Sequence, residues 1–492
     1  MTGGSLTLKL FAQFKNETGE VKGPPLDLPE SVTTEQLSIL LNDILSNEEI
    51  VPYAFFIDGE EIIKDLASAI AVTKTSKEST IEIVYRPQAV FRVRAVSRCM
   101  ASLSGHEEAV LTTQFSPDGK RLVSGSGDTT VRFWDLNTNL PDKVCKGHSN
   151  WVLFVSWSPD GLKLASGGMD NEIYIWNGAS GAQLGKALRG HQKYITCLSW
   201  EPFHVNPKCE RLASSSKDTT LRVWNTSTGI CEYTLSGHTM SVTCVAWGGE
   251  GLIYSASQDR TIKVWKAETG SLCYTLKGHA HWINTMGFNV SYVLRCGPFN
   301  HLGMREAVDI SGFTVFLGLL LYELFTFSLQ AQKDAFSRYQ SVVSVVGGEI
   351  LASGSDDFTI FMWRPKKSEK SLCRLTGHQQ LINEVRFSPD GRLFASASFD
   401  KSIKLWDGQS GKFLATFRGH VGSVYQLCWS PDSRLLVSAS RDSTIKVWDV
   451  HRKKQLLELP GHADEVFAVD WSPDGERIAS GSKDKLLKIW SR

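Results

Sequence analysis

The chain has 492 residues, 42% apolar and 21% charged, a mixture that supports a folded core and excludes the disordered, collagenous and disulfide-knot classes. Fifty-three basic against 52 acidic side chains leave a net charge of +1, so no overall basic field advertises nucleic acid or an anionic membrane. The ten cysteines form no C-x-x-C pair, and Met1 to Leu10 lacks a basic region leading into an apolar run, which predicts a reduced, intracellular protein.

Residues 1–88 are read as a first domain. A strand is predicted at Leu6 to Phe14, a turn around Gly19 to Pro24 and a second strand near Pro25 to Leu28. Glu30-Ser31 ahead of Val32-Thr-Thr-Glu35 is a helix start signal, and Leu37, Leu40, Leu41, Ile44 and Leu45 make one apolar face. Strands at Tyr53 to Ile57 and Thr80 to Tyr85 complete the segment, with Asp58-Gly59 turning between them. This order resembles a ubiquitin-like β-grasp (α+β) domain. The chain runs on past Tyr85 without a terminal Gly-Gly, which implies a docking module and not a conjugated modifier.

From residue 89 the grammar changes. Ala89-Val-Phe-Arg-Val-Arg-Ala-Val96 alternates apolar and polar residues, with more extended sequence up to Leu103. Gly-His then occurs eight times, with His-to-His steps of 42, 43, 47, 41, 99, 42 and 42. Each unit ends at a Trp, with an Asp six residues and a Ser ten residues before it. The first unit gives His106, Ser124, Asp128 and Trp134, and the sixth gives His378, Ser396, Asp400 and Trp406. Short alternating runs separated by Ser-Pro-Asp-Gly turns, at 116–119 and 158–161 for example, read as antiparallel meanders. This signature resembles the WD-repeat family, so residues 89–492 are expected to form a mainly β, eight-bladed propeller. Trp490 lies two residues from the end, leaving no sequence for the outermost strand of the last blade. The extended sequence within 89–103 can supply it and close the ring.

His, Ser and Asp together suggest a hydrolase triad. Repetition argues against that reading, because catalysis needs one polarised constellation, whereas eight copies indicate a buried hydrogen-bond network within each blade. No phosphate-binding G-x-x-x-x-G-K-[ST] loop, H-E-x-x-H or paired-cysteine metal motif is present, and the expectation is a non-enzymatic protein. Three residues after each His the units vary, with Trp151, Tyr194 and Trp282 in blades two, three and five and Tyr425 two places further along in blade seven. These aromatics are candidates for a partner-binding rim, or else for caps on inter-blade packing.

The 99-residue step carries an atypical insertion at about 289–346 in blade five. Within it, Gly312 to Leu329 is 18 residues with one charge, Glu323, at the lower bound for a membrane span. A span there would put the two parts of the ring on opposite sides of a bilayer, so no membrane partner is expected. A surface helix burying its apolar side on the ring, or a non-homologous segment from an alternative transcript, fits better.

A ubiquitin-like head joined through Tyr85-Arg-Pro-Gln-Ala-Val-Phe-Arg-Val93 to such a ring, with Trp-Glu-Pro at 200–202 and Leu-Pro-Gly-His-Ala-Asp-Glu-Val at 459–466, resembles the Notchless family of ribosome-assembly factors. The resemblance implies a nuclear protein of nucleolus and nucleoplasm, monomeric, with pre-60S ribosomal proteins and rRNA as partners of the ring. It also implies that the head binds the metal-ion-dependent adhesion site of midasin, a dynein-like AAA ATPase. The protein then has no cofactor of its own, and Mg2+ is shared with the partner's site, where an incoming carboxylate completes octahedral oxygen coordination. In the family this ligand lies in the loop before the last head strand, which the resemblance places at Glu78. Asp58, Glu60, Glu61 and Glu82 are the alternatives, Glu82 the weakest because it lies within a strand. A second reading is a cytoplasmic scaffold in Notch-receptor or ubiquitin signalling.

Overall fold

The computed structural model describes residues 9–16, 19–45, 52–58, 60–62, 65–73, 80–87, 92–300, 303–304 and 317–492. For residues 9, 60, 71–73 and 317–328 it describes the backbone alone. The chain divides into two compact units, Met1–Arg92 and Val93–Arg492.

In the first unit β1 (Lys9–Lys15) and β2 (Val21–Pro29) form a hairpin, α1 (Thr34–Leu45) crosses the sheet, and β3 (Tyr53–Ile57), β4 (Glu60–Glu61), α2 (Leu66–Thr73) and β5 (Ile81–Pro87) follow. The strand order β2-β1-β5-β3-β4, with β1 parallel to β5, is that of a β-grasp sheet. Leu37 and Leu41 of α1 are fully buried against Phe14, Phe55 and Ile83 of the sheet. The helix starts two residues later than Ser31 and Val32 suggest. Thr33 is the cap: its hydroxyl takes the Gln36 amide at 3.4 Å, and the Gln36 side chain takes the Thr33 N–H at 3.1 Å, a reciprocal capping box.

Among the described residues the second unit contains eight antiparallel sheets, seven with four strands and one with three. In blade two the sequence after Asn177 touches the third strand only through isolated bridges, Trp176 to Gln183 and Ile173 to Leu188. Inner strands such as Val152–Trp157 alternate buried and half-buried residues, because one face packs in the blade interface and the other lines the central channel. Second strands such as Arg121–Ser126 are buried almost throughout, since neighbouring blades cover both of their faces. Closure is made by β6 (Arg98–Leu103), which pairs antiparallel with the last strand, Leu487–Ser491, matching Leu103 to Leu487. The closing strand is thus the later part of the extended sequence. Residues 92–97 have no strand structure, and the buried Val93 N–H donates to Asp432 at 2.7 Å.

The insertion replaces the turn between the first two strands of blade five. Helix α3 (Ser291–Cys296) follows directly on the inner strand Ile283–Phe288, and α4 (Leu317–Val346) leads back to the second, Leu351–Ser355. The half of α4 that seats on the ring lies beyond the apolar run. Ala331 and Ala335 pack on Phe203 and Cys209 of blade three, and Tyr339 and Val342 pack on Tyr254, Phe288 and Val290. The helix stops at Gly347, whose φ of 76° suits a left-handed cap, with its N–H bonded to Val343 O at 2.9 Å. Among the described residues no helix is long and apolar enough to cross a membrane.

Candidate functional site

Each blade holds one His-Ser-Asp-Trp tetrad with the same geometry. In the sixth, His378 Nδ1 lies 2.8 Å from Asp400 Oδ2, His378 Nε2 2.8 Å from Ser396 Oγ, and Trp406 Nε1 2.9 Å from that same Oγ. In the first, His106, Ser124, Asp128 and Trp134 repeat this at 2.7, 2.7 and 2.8 Å. The partners dictate the tautomer: Nδ1–H donates to the carboxylate, Ser O–H donates to Nε2, and the indole N–H donates to the Ser oxygen. Every polar atom is used, and the serines are wholly buried, so no substrate reaches the hydroxyl. Burial works against the charge on Asp400. Hydrogen bonds from His378, Ser402 and the Gln379 amide outweigh it and hold the carboxyl well below the usual carboxylate range.

The aromatics singled out in the sequence fall into two groups. Trp151 is 50% exposed and Trp282 40% exposed, both on the rim formed by the loops after Gly-His. Tyr194 is half-buried, with the Lys217 ammonium 5.0 Å from its ring centre. The second-to-third-strand turns bond to the same residues, Met169 N–H to Trp151 O at 2.8 Å and Asp356 N–H to Trp282 O at 2.9 Å. Exposed Met169 and Phe358 therefore extend the patch, and single-residue spacing could not find them because they belong to a different loop. Tyr425 meets this rim from the side: Glu465, three residues after His462, and Phe399, just before the tetrad Asp400, are its neighbours. It lies within the inner strand of blade seven, between Phe399 and Phe467, with its hydroxyl donating to Glu465 at 2.9 Å.

The channel has a volume of about 610 Å³. At its Ser-Pro-Asp-Gly end each blade presents the residue preceding the aromatic that closes the inner strand. Six of these are neutral, Gln114, Ser156, Ser199, Ala246, Gly287 and Cys428, and two are charged, Arg386 and Asp470. Helix α3 covers this end. Gly297, just after it, lies against Pro159 of blade two so closely that a Cβ there would stand 2.6 Å from the Pro159 carbonyl oxygen. Phe299 continues to Asp118 and Gly161, and its carbonyl accepts from Arg338 of α4, tying the two arms of the insertion into one strap.

In the head, Glu78 lies outside the described residues. Glu82 is on β5 and its exposed side chain pairs with Lys15 of β1. Asp58 follows β3 with a positive φ of 51°, and Glu60 and Glu61 form β4.

The fold and the eight tetrads define a WD-repeat propeller protein carrying a β-grasp head. A family model described as the NLE (NUC135) domain matches residues 10–70, and the WD domain, G-beta repeat model matches seven segments from 97–135 to 453–491. The repeat it passes over is blade five, which the insertion interrupts. Protein Notchless of Drosophila melanogaster is 51% identical over 382 residues, spanning 78% of this chain and 75% of that protein. The Arabidopsis thaliana Notchless protein homolog is 50% identical over 80% of this chain and 78% of its own length. Ribosome assembly protein 4 of Saccharomyces cerevisiae is 46% identical over 81% of this chain and 78% of its own. Among solved structures, the computationally designed Ika8 protein is similar with a TM-score of 0.61 at 25% identity, covering 80% of this chain and 100% of that one. The chain belongs to the Notchless family.

Proposed function

We propose that this protein is a non-enzymatic assembly factor for the large ribosomal subunit, working in the nucleolus and nucleoplasm. The observation that carries this reading is the 46% identity to a yeast protein named for ribosome assembly, over 81% of the chain. In this reading the propeller docks on pre-60S proteins and rRNA through the rim bearing Trp151, Tyr194 and Trp282. Large aromatics supply contact area there at low entropic cost. The head is the handle. Glu78 supplies an oxygen to Mg2+ in the adhesion site of midasin, whose ATP-driven pulling remodels the particle, so the metal and the chemistry of hydrolysis belong to the partner.

Gradient sedimentation of the native protein tests the first part: co-migration with large-subunit precursors is expected. Migration near the monomer mass would favour a cytoplasmic scaffold instead. Trp151→Ala combined with Trp282→Ala should release the protein from precursors at unchanged melting temperature. Capture by the midasin adhesion domain should be lost with Glu78→Ala and with a chelator, and chelator-insensitive capture would sink the metal bridge.

A further inference from the structure

The repeats provide an internal control for the channel. Where the residue before the closing aromatic accepts an N–H from the next blade, a neutral group is enough. Gln114 accepts from Trp157 at 2.9 Å, Ser199 from Trp247 at 3.0 Å and Cys428 from Trp471 at 3.2 Å. Asp470 does the same for Phe115 at 2.8 Å, yet it is a carboxylate in a residue only 5% exposed. Two places earlier in the strand the pattern repeats: Gln426 accepts from Val469 at 2.7 Å, whereas Glu384 accepts from Leu427 at 2.5 Å. Joining the blades does not require these two charges.

Each charge has an arginine. Glu384 is matched within its own strand, where Arg386 Nε donates to Oε1 at 2.6 Å. Asp470 has its arginine from the insertion. Arg295 of α3 reaches into the channel, Nη1 donating to Asp470 Oδ1 at 2.8 Å and Nη2 to Oδ2 and to Phe115 O, the last at 3.2 Å. This is the planar two-pronged recognition that a guanidinium makes and an ammonium does not. Tyr292 and Leu294, from the same helix, line the channel beside it, and Cys428 and Arg386 stand on the ring side.

We propose that the Asp470 end of the channel is an arginine-binding site, and that the inserted strap is its tethered occupant, competing with arginine-bearing segments of partner proteins. The occupant is short, a six-residue helix flanked by the tight approach at Gly297, and its specificity resides in one side chain. Tethering gives that side chain an effective concentration in the millimolar range, so an outside arginine succeeds only when its own segment makes further contacts on the same face. The strap is thereby an autoinhibitory contact, closing the Ser-Pro-Asp-Gly face until a stronger arginine ligand arrives.

The full chain tests this with a fluorescent peptide copying residues 291–296, Ser-Tyr-Val-Leu-Arg-Cys, read by anisotropy. Arg295→Ala should bind it at least tenfold more tightly than the unaltered chain, and the same peptide with citrulline for arginine should not bind. Adding Asp470→Asn to Arg295→Ala should weaken binding at least tenfold. Equal binding by the unaltered and Arg295→Ala chains, no binding by a folded Arg295→Ala chain, or binding that survives Asp470→Asn would each overturn the proposal. Should Arg295→Ala fail to fold, Asp470→Asn alone keeps the acceptor for Phe115. Amides 293–297 should then exchange hydrogen at least tenfold faster with the ring amides unchanged, and unaltered exchange would refute the site.

Discussion

Ser396 Oγ is a point where two buried rings meet, accepting from Trp406 and donating to His378, while Asp400 fixes the far side of the imidazole. Removing one partner leaves the others unsatisfied in a buried setting, at about 1 to 3 kcal/mol. Asp400→Ala should therefore lower the melting temperature of the ring, measured by calorimetry, and an unchanged value would refute the network. The tetrads also predict a pH profile. The Asp400 carboxyl titrates below its unfolded value of about 3.9, so the unfolded chain binds more protons as pH falls. Its stabilisation is complete above pH about 4 and is lost on acidification through the folded value. Burial likewise lowers the His462 imidazole, with Asp484 opposing, so its contribution is complete above pH about 6.5 and declines below it. Urea unfolding across pH should show a plateau near neutrality, a shallow loss below about 6.5 and a steep one below about 4.

At the scale of elements, every blade turns between its second and third strands through a residue of positive φ just after the tetrad Asp, including Thr129 at 67°, Thr219 at 74° and Phe358 at 65°. This conformation disfavours β-branched side chains, and asparagine, which blade two carries as Asn171, tolerates it better. Thr219→Asn should stabilise the ring by about 0.5 to 1 kcal/mol, seen as a raised melting temperature, because the bond from Thr220 N–H to Asp218 at 2.9 Å is kept. The tetrads and blade strands were legible because each error in reading one repeat is corrected by seven others. The head and the strap have no such redundancy. Helix α2 carries a weak sequence signal because Leu66-Ala-Ser-Ala-Ile-Ala-Val-Thr73 is short and ends on β-branched residues. The most apolar stretch of the strap is not its seat, which is made by Ala331, Ala335, Tyr339 and Val342 further on. The pairing of Asp470 with Arg295 was hidden because alternation tells which way a side chain faces, and not which distant segment will meet it.

At the scale of the molecule, the two ends of the ring sequence are joined by one pair of strands, β6 and Leu487–Ser491. Of two shortened chains, one beginning at Val93 and one at Ser104, the second should melt lower and aggregate more readily, because the outer edge of the last blade is left unpaired. Light scattering during heating checks this. The same closure sets a timetable for a ribosome making this protein. Strand β6 leaves the exit tunnel early, but its partner is the last strand of the ring to be translated, and at 5 to 20 residues per second the interval is roughly twenty to eighty seconds. For that time every completed blade belongs to an open arc with bare ends, whose unpaired edges are open to pairing with a neighbour on the same messenger RNA.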